Sequence, residues 1–147
     1  MTYHFKSETH LQRCVLDFLI KCNNIGYDFS VVPNVLDHMA EADPKKRMLK
    51  IQGAKAIGYE DGQSDLIIFS SLGIVFLELK NGEKSFFRNG KLYGKAINQN
   101  EYLKKMKLKA GVIGAFFGYD IEQIINKLRE LYKIDEFEYK IKQTYLK

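Results

Sequence analysis

Apolar positions in this chain change their period several times, and each change marks an element. Between Glu8 and Cys22 they recur every three or four residues, at Leu11, Cys14, Val15, Phe18, Leu19 and Cys22, which is one stripe of a helix. Ser7 stands where its hydroxyl can accept from the first free backbone N–H groups and start that helix, and Gly26 ends the unit. Tyr27–Val32 alternates well enough for a strand and stops at Pro33-Asn34, because proline removes a ladder donor. Residues 35–61 are mostly polar, with glycines at 53, 58 and 62 around them, and read as part helix and part loop. Two continuous apolar runs follow, Leu66-Ile-Ile-Phe69 and Ile74-Val-Phe-Leu77, joined at Ser71-Leu72-Gly73. Unbroken runs of that length predict strands covered on both faces.

Beyond them, Asn89-Gly90 lies between Phe86-Phe87 and Leu92-Tyr93, the pattern of a two-residue hairpin. Asn98 can cap a helix reaching about Lys109, with Glu101 at the capping-box position. Gly111–Gly118 is a further buried strand, and Asp120 caps a last helix carrying Ile121, Ile124, Ile125, Leu128 and Leu131. The tail from Lys133 to Lys147 is mixed and charged: a short helix, a dimer contact or a loose end. No repeat and no linker divides the chain. The order helix, strand, irregular stretch, two strands, helix, strand, helix predicts an α/β sandwich around a small mixed sheet.

The chemistry of interest falls on the two apolar runs. Asp65 opens the first, and Glu78-Leu79-Lys80 closes the second. Side chains alternate along a strand, so Glu78 and Lys80 share a face, and pairing of the strands brings Asp65 beside them. Charged residues often end strands in solvent, and an Asp…Glu-x-Lys spacing arises by chance. Acids that close doubly covered strands are costly there unless something uses them. Oxygen ligands suit Mg²⁺ or Mn²⁺, and a neighbouring lysine can steer or deprotonate an attacking water.

Bulk properties narrow the setting. With 147 residues the chain makes one domain with a sizeable core. Twenty-three Lys+Arg against 18 Asp+Glu leave a net charge of +5, which fits a polyanionic partner without requiring one. Cys14 and Cys22, eight residues apart on one helix, would lie about 12 Å apart along its axis, too far for a disulfide. Two thiols are too few for a zinc site and suit a reducing cytosol. His4, His10 and His38 have no ligand spacing. No signal segment or membrane-length apolar run is visible, so a cytoplasmic location is expected.

Taken together, Gly62-Gln-Ser-Asp65, Glu78-Leu79-Lys80 and Gln99-Asn-Glu-Tyr102 resemble the PD-(D/E)XK nuclease superfamily. More narrowly, the chain is similar to its virus-type replication and repair branch, VRR-Nuc. Glu8 near the start of the first helix and Val32-Pro33-Asn34 at a strand end extend the likeness over residues 7–131. Five weak motifs thus stand in the same order. Ser64 occupies a position where that group usually has proline, and the segment between Lys80 and Gln99 is longer than usual.

The resemblance implies a restriction-endonuclease-like core over residues 1–132, with a hairpin insertion at about 83–95 and an extension at 133–147. It also implies hydrolysis of DNA phosphodiester bonds with Mg²⁺ or Mn²⁺, one or two ions, on branched, junction or flap DNA in replication, recombination or repair, and in some members a homodimer. The setting it implies is a bacterium or a phage-infected host cell. Asp65, Glu78 and the Leu79 carbonyl would hold the ion, with Glu8 joining if a second binds. Glu8 equally suits the positive end of its helix. Lys80 would activate the attacking water, and Gln99 would reach Lys80, that water or a phosphate. Lys45, Lys46, Arg47 and Lys50, with Lys104, Lys105, Lys107 and Lys109, could track a phosphate backbone or be solvated surface. Lys84, Arg88, Lys91 and Lys95 belong to the inserted segment, whose rings either stack on bases or pack on the domain. Tyr102 is core or a phosphate contact. The alternative is an inactive copy of the fold that binds nucleic acid or a protein.

Overall fold

Four strands build the sheet that carries the acids, in the order β1-β2-β3-β6. The computed structural model describes residues 8–34, 43–56, 63–136 and 139–140. The Ser7 cap, His4, His38, Gly58 and Gly62 lie outside them. Helix α1 (Glu8–Asn24) buries Leu11, Val15, Phe18, Leu19 and Cys22, the stripe its periodicity predicts. Cys14 lies half-buried at the edge of that stripe, and both thiols are free. Asn23 then takes both backbone groups of Phe29, accepting its N–H at 2.7 Å and donating to its carbonyl at 2.9 Å. Those backbone groups need no strand partner. Strand β1 (Ser30–Pro33) therefore begins three residues later than Tyr27, where alternation had placed its start. It forms one edge of the sheet, where the proline is tolerated.

Helix α2 (Pro44–Ala56) follows, longer and more regular than the glycines suggested. Asp43 starts it by accepting the Lys45 N–H at 3.0 Å. Strands β2 (Leu66–Phe69) and β3 (Ile74–Leu79) lie where their apolar runs predict, antiparallel, with Leu66 opposite Leu77 and Ile67 opposite Phe76. Strand β6 (Val112–Gly118) runs parallel to β3 on its other side. A parallel pair needs a long crossover. Here the crossover holds a 3₁₀ turn (Glu83–Ser85), the strands β4 (Phe87–Arg88) and β5 (Lys91–Leu92), and helix α3 (Ala96–Lys107).

Alternation sorts the sheet into two faces. Leu66, Ile68, Val75, Leu77 and Leu79 pack against α1 and against α4 (Ile121–Tyr132). Ile67, Ile74 and Phe76 pack on the other face against Leu103 and Met106 of α3. The fold is thus α/β, a mixed four-stranded sheet between helices, with four helices among the described residues. Helix α4 sits flush on β6: a Cβ at Gly118 would lie 2.6 Å from Ile124 Cγ1 and 2.8 Å from Leu77 Cδ1. Asp120 caps α4 as expected, accepting from Glu122 N–H at 3.1 Å. The described part of the C-terminal extension returns onto α1. The Arg129 guanidinium lies over the Phe18 and Tyr139 rings, 5.8 and 5.1 Å from their centroids.

The start of α3 departs from expectation. Lys95 is the capping position, with helical dihedrals and no capping hydrogen bond from its side chain, and Asn98 lies inside the first turn. Gly94 turns the chain at φ +60°, Ile97 N–H donates to its carbonyl, and Ala96 is buried. The helix is therefore seated earlier, and the Asn98–Glu101 box does not form.

Candidate active site

Register and alternation together set Asp65 against Glu78. With Leu66 opposite Leu77, the next pair outward is Asp65 and Glu78, both on the face that α3 covers. Each acid is held by the partner strand's backbone: Asp65 N–H donates to Glu78 Oε2 at 3.2 Å, and Leu79 N–H donates to Asp65 Oδ2 at 2.8 Å. The second of these bonds brings the Leu79 backbone directly to Asp65.

Glu78 is 3% exposed. Its other oxygen, Oε1, accepts from Gln99 Nε2 at 2.8 Å and has Lys80 Nζ at 3.8 Å. Lys80 extends β3 by donating its own N–H to Gly118 O at 2.8 Å, which keeps its side chain on the Glu78 face. Burial, and then the charge of Asp65, push the Glu78 carboxyl up to about 9, with Lys80 opposing. Asp65 is raised as well, chiefly by burial and against the Leu79 bond. Glu8, at the opening of α1, is surface-accessible but raised too, by desolvation first and by Asp65 second, with Lys80 and Lys95 opposing. Glu8 therefore feels the same charges as the acid pair, although α1 packs on the opposite face of the sheet. The N-terminal end of α1 meets the sheet end where the acids lie.

Gln99 comes from the first turn of α3, three residues after Ala96, and its N–H is taken by Lys95 O at 3.1 Å. Its side-chain carbonyl Oε1 is buried and has no hydrogen-bond partner. Ser64 is 1% exposed with an equally unpartnered hydroxyl. Its burial is a feature that nothing in the sequence signalled. Tyr102, one turn beyond Gln99, sets its ring edge-on to Phe76 at 6.1 Å, a packing position.

The basic residues fall into three groups, one of them Lys104, Lys105 and Lys107 in the last turn of α3 with Lys109 just beyond it, all exposed. Lys45, Lys46 and Lys50 are exposed on α2 and Arg47 is half-buried there, on a helix separate from the sheet that holds the acids. Arg88, Lys91 and Lys95 lie in the crossover between Lys80 and Gln99, so the segment bearing them leaves from the site and returns to it. Phe86 is buried and stacked on Phe117 at 4.9 Å, which makes it an anchor rather than an exposed base-stacking ring. His10 is exposed on α1.

Among the described residues no cluster of three or more His, Cys, Asp or Glu is close enough to hold a metal ion by itself. The donors at hand are the carboxylates of Asp65 and Glu78, with the Leu79 carbonyl and Glu8 at the rim. All are oxygens, the donors Mg²⁺ and Mn²⁺ take. The raised acids and the orphaned Gln99 carbonyl fit a centre short of positive charge and of one donor, which a hydrated divalent cation would supply. No helix of the described residues is long and apolar enough to cross a membrane. Compared with family models, curated proteins and solved structures, the chain matches none. The likeness to PD-(D/E)XK nucleases rests on the motifs themselves.

Proposed function

We propose that this protein is a Mg²⁺- or Mn²⁺-dependent endonuclease acting on DNA, with a restriction-endonuclease-like core and a preference for branched, junction or flap substrates. One observation carries the reading. Asp65 and Glu78 are paired face to face at a strand end, in a setting that raises both carboxyls. Two buried acids that repel each other cost stability, and a divalent cation turns that cost into binding energy. When bound, the ion would acidify an attacking water and offset negative charge gathering on the phosphate.

The chain's own groups divide the remaining work. Asp65, Glu78 and the Leu79 carbonyl would hold the cation, and Glu8 would join them if a second ion binds. Lys80, only 13% exposed at its side chain and 3.8 Å from Glu78, is placed to orient the attacking water or take its proton. Gln99 fixes Glu78 through one end of its amide and offers its unpartnered carbonyl to a water or to Lys80. Removing a group that holds the metal or the attacking water is expected to lower cleavage by at least a hundredfold.

The test is plasmid, flap and four-way junction cleavage with Mg²⁺ or Mn²⁺, comparing wild type with Asp65→Ala and Lys80→Ala. Both variants are expected to lose cutting while keeping DNA affinity. Cleavage that persists in Asp65→Ala, or needs no divalent ion, would remove the reading. A second reading, an inactive fold that binds nucleic acid or a protein, draws on the hydrogen bonds that already engage both oxygens of Glu78. Binding by wild type with no cutting under any divalent ion would favour it.

A further inference from the structure

The crossover between Lys80 and Gln99 contains a conflict that the fold does not require. Asn89 (φ +52°) and Gly90 (φ +75°) both adopt left-handed dihedrals, which makes a tight hairpin turn of the I′ kind. That turn sets Arg88 directly opposite Lys91. Like charges across a strand pair are destabilising, and among the described residues no carboxylate forms an ion pair with either. Around them lie Lys84 and Lys95 on the same segment, with Glu83 its one acid. Natural sequences tolerate such conflicts where function requires them.

The hairpin is also mounted rigidly. Phe86, 6% exposed, stacks on Phe117 and lies 6.0 Å from Tyr119. Gly82 N–H donates to Tyr119 O at 3.3 Å, and Tyr93 N–H donates to Phe86 O at 3.2 Å. Tyr93 Oη donates to Lys84 O at 2.7 Å, and Arg88 Nε donates to the same carbonyl at 3.3 Å. The Arg88 guanidinium lies 4.8 Å from the centroid of the Tyr93 ring. Arg88 is thus pre-set on a plate, its Nε engaged inward and the far edge of its fork left for an acceptor. A guanidinium so held loses little freedom on meeting a phosphate.

We propose that the Arg88–Lys91 pair is a phosphate clamp, gripping the DNA backbone beside the acid pair and relieving its own repulsion by doing so. The inference rests on the endonuclease reading for its substrate, and it names the element that positions that substrate. The hairpin rises roughly 10 Å from its Phe86–Tyr93 base at strand rise, and both ends of its crossover are rooted in site residues. A backbone gripped there is delivered to Lys80 and Gln99 at a fixed offset.

The test is equilibrium binding of a labelled duplex in EDTA, across a salt series. Wild type is compared with Arg88→Ala/Lys91→Ala and with the charge-keeping exchange Arg88→Lys/Lys91→Arg. The alanine pair is expected to bind about tenfold more weakly, with a salt slope shallower by about 1 for each cation lost. The exchange should keep the slope and lose part of the affinity, because lysine lacks the planar fork. The alanine pair loses the Arg88 contacts to Lys84 O and Tyr93 along with the repulsion, so its melting temperature is measured beside the binding to show that the variant is folded. An unchanged slope and affinity in the alanine pair, in a wild type that cuts DNA, would overturn the clamp and leave the nuclease reading intact. The expected slope change in a wild type that cuts nothing with either metal would support the clamp and remove the nuclease reading.

Discussion

Glu78 is the residue on which the site's electrostatics turn. Its carboxyl is pushed up to about 9 by burial and by Asp65, so between about pH 4.5 and 9 the native state holds a proton that the unfolded chain releases. Stability then falls as pH rises through that window. Urea unfolding midpoints in EDTA should show this decline from pH 5 to 9. Glu78→Gln should flatten it, because the amide has no proton to lose. In that variant Gln99 can turn over its amide so that its carbonyl accepts from the new NH₂, which moves the unpartnered position from the Gln99 carbonyl to its amide nitrogen and leaves the number of orphans unchanged. An equal slope in wild type and variant would show that Glu78 does not carry this penalty.

Among the elements, β6 and α4 support the site by close approach. Gly118 gives its carbonyl to Lys80 N–H and leaves no room for a methyl group beside Ile124 and Leu77. Gly118→Ala is expected to cost about 1–3 kcal/mol by overpacking, read as a lowered urea midpoint. It should also weaken any metal-dependent activity by shifting Lys80. The strands and helices that frame the site were legible because their signals are local. The runs at 66–69 and 74–77, the Asn89-Gly90 turn and the Asp120 cap each act within a few residues. What escaped depends on partners elsewhere. Asn23 reaches six residues on to hold Phe29 off the sheet, Gly94 and buried Ala96 start α3 ahead of Asn98, and Phe86 finds Phe117 only in the folded chain. The acids were legible by alternation and turn position. The raised carboxyl of Glu8 was not, since nothing near it in the chain signals Asp65.

In the whole molecule, the site is assembled from contacts of unequal reach. The acid pair spans 13 residues and one antiparallel hairpin, whereas Gln99 joins Glu78 over 21 residues and across the passage to a parallel strand. Local hairpins close in microseconds, and non-local pairing is slower because it must close longer loops first. The two halves of the centre should therefore respond differently in a chevron experiment. Mn²⁺ should quicken the refolding arm, because a cation can settle between acids already facing each other at the barrier. Gln99→Ala should raise the unfolding arm without changing its slope and leave refolding near its original rate. If the cation instead only slows unfolding, the pair closes after the barrier with everything else. Should Mn²⁺ quicken refolding, a β-turn of a few residues would do more than join two strands: it would let the anionic half of the centre form ahead of the amide that caps it.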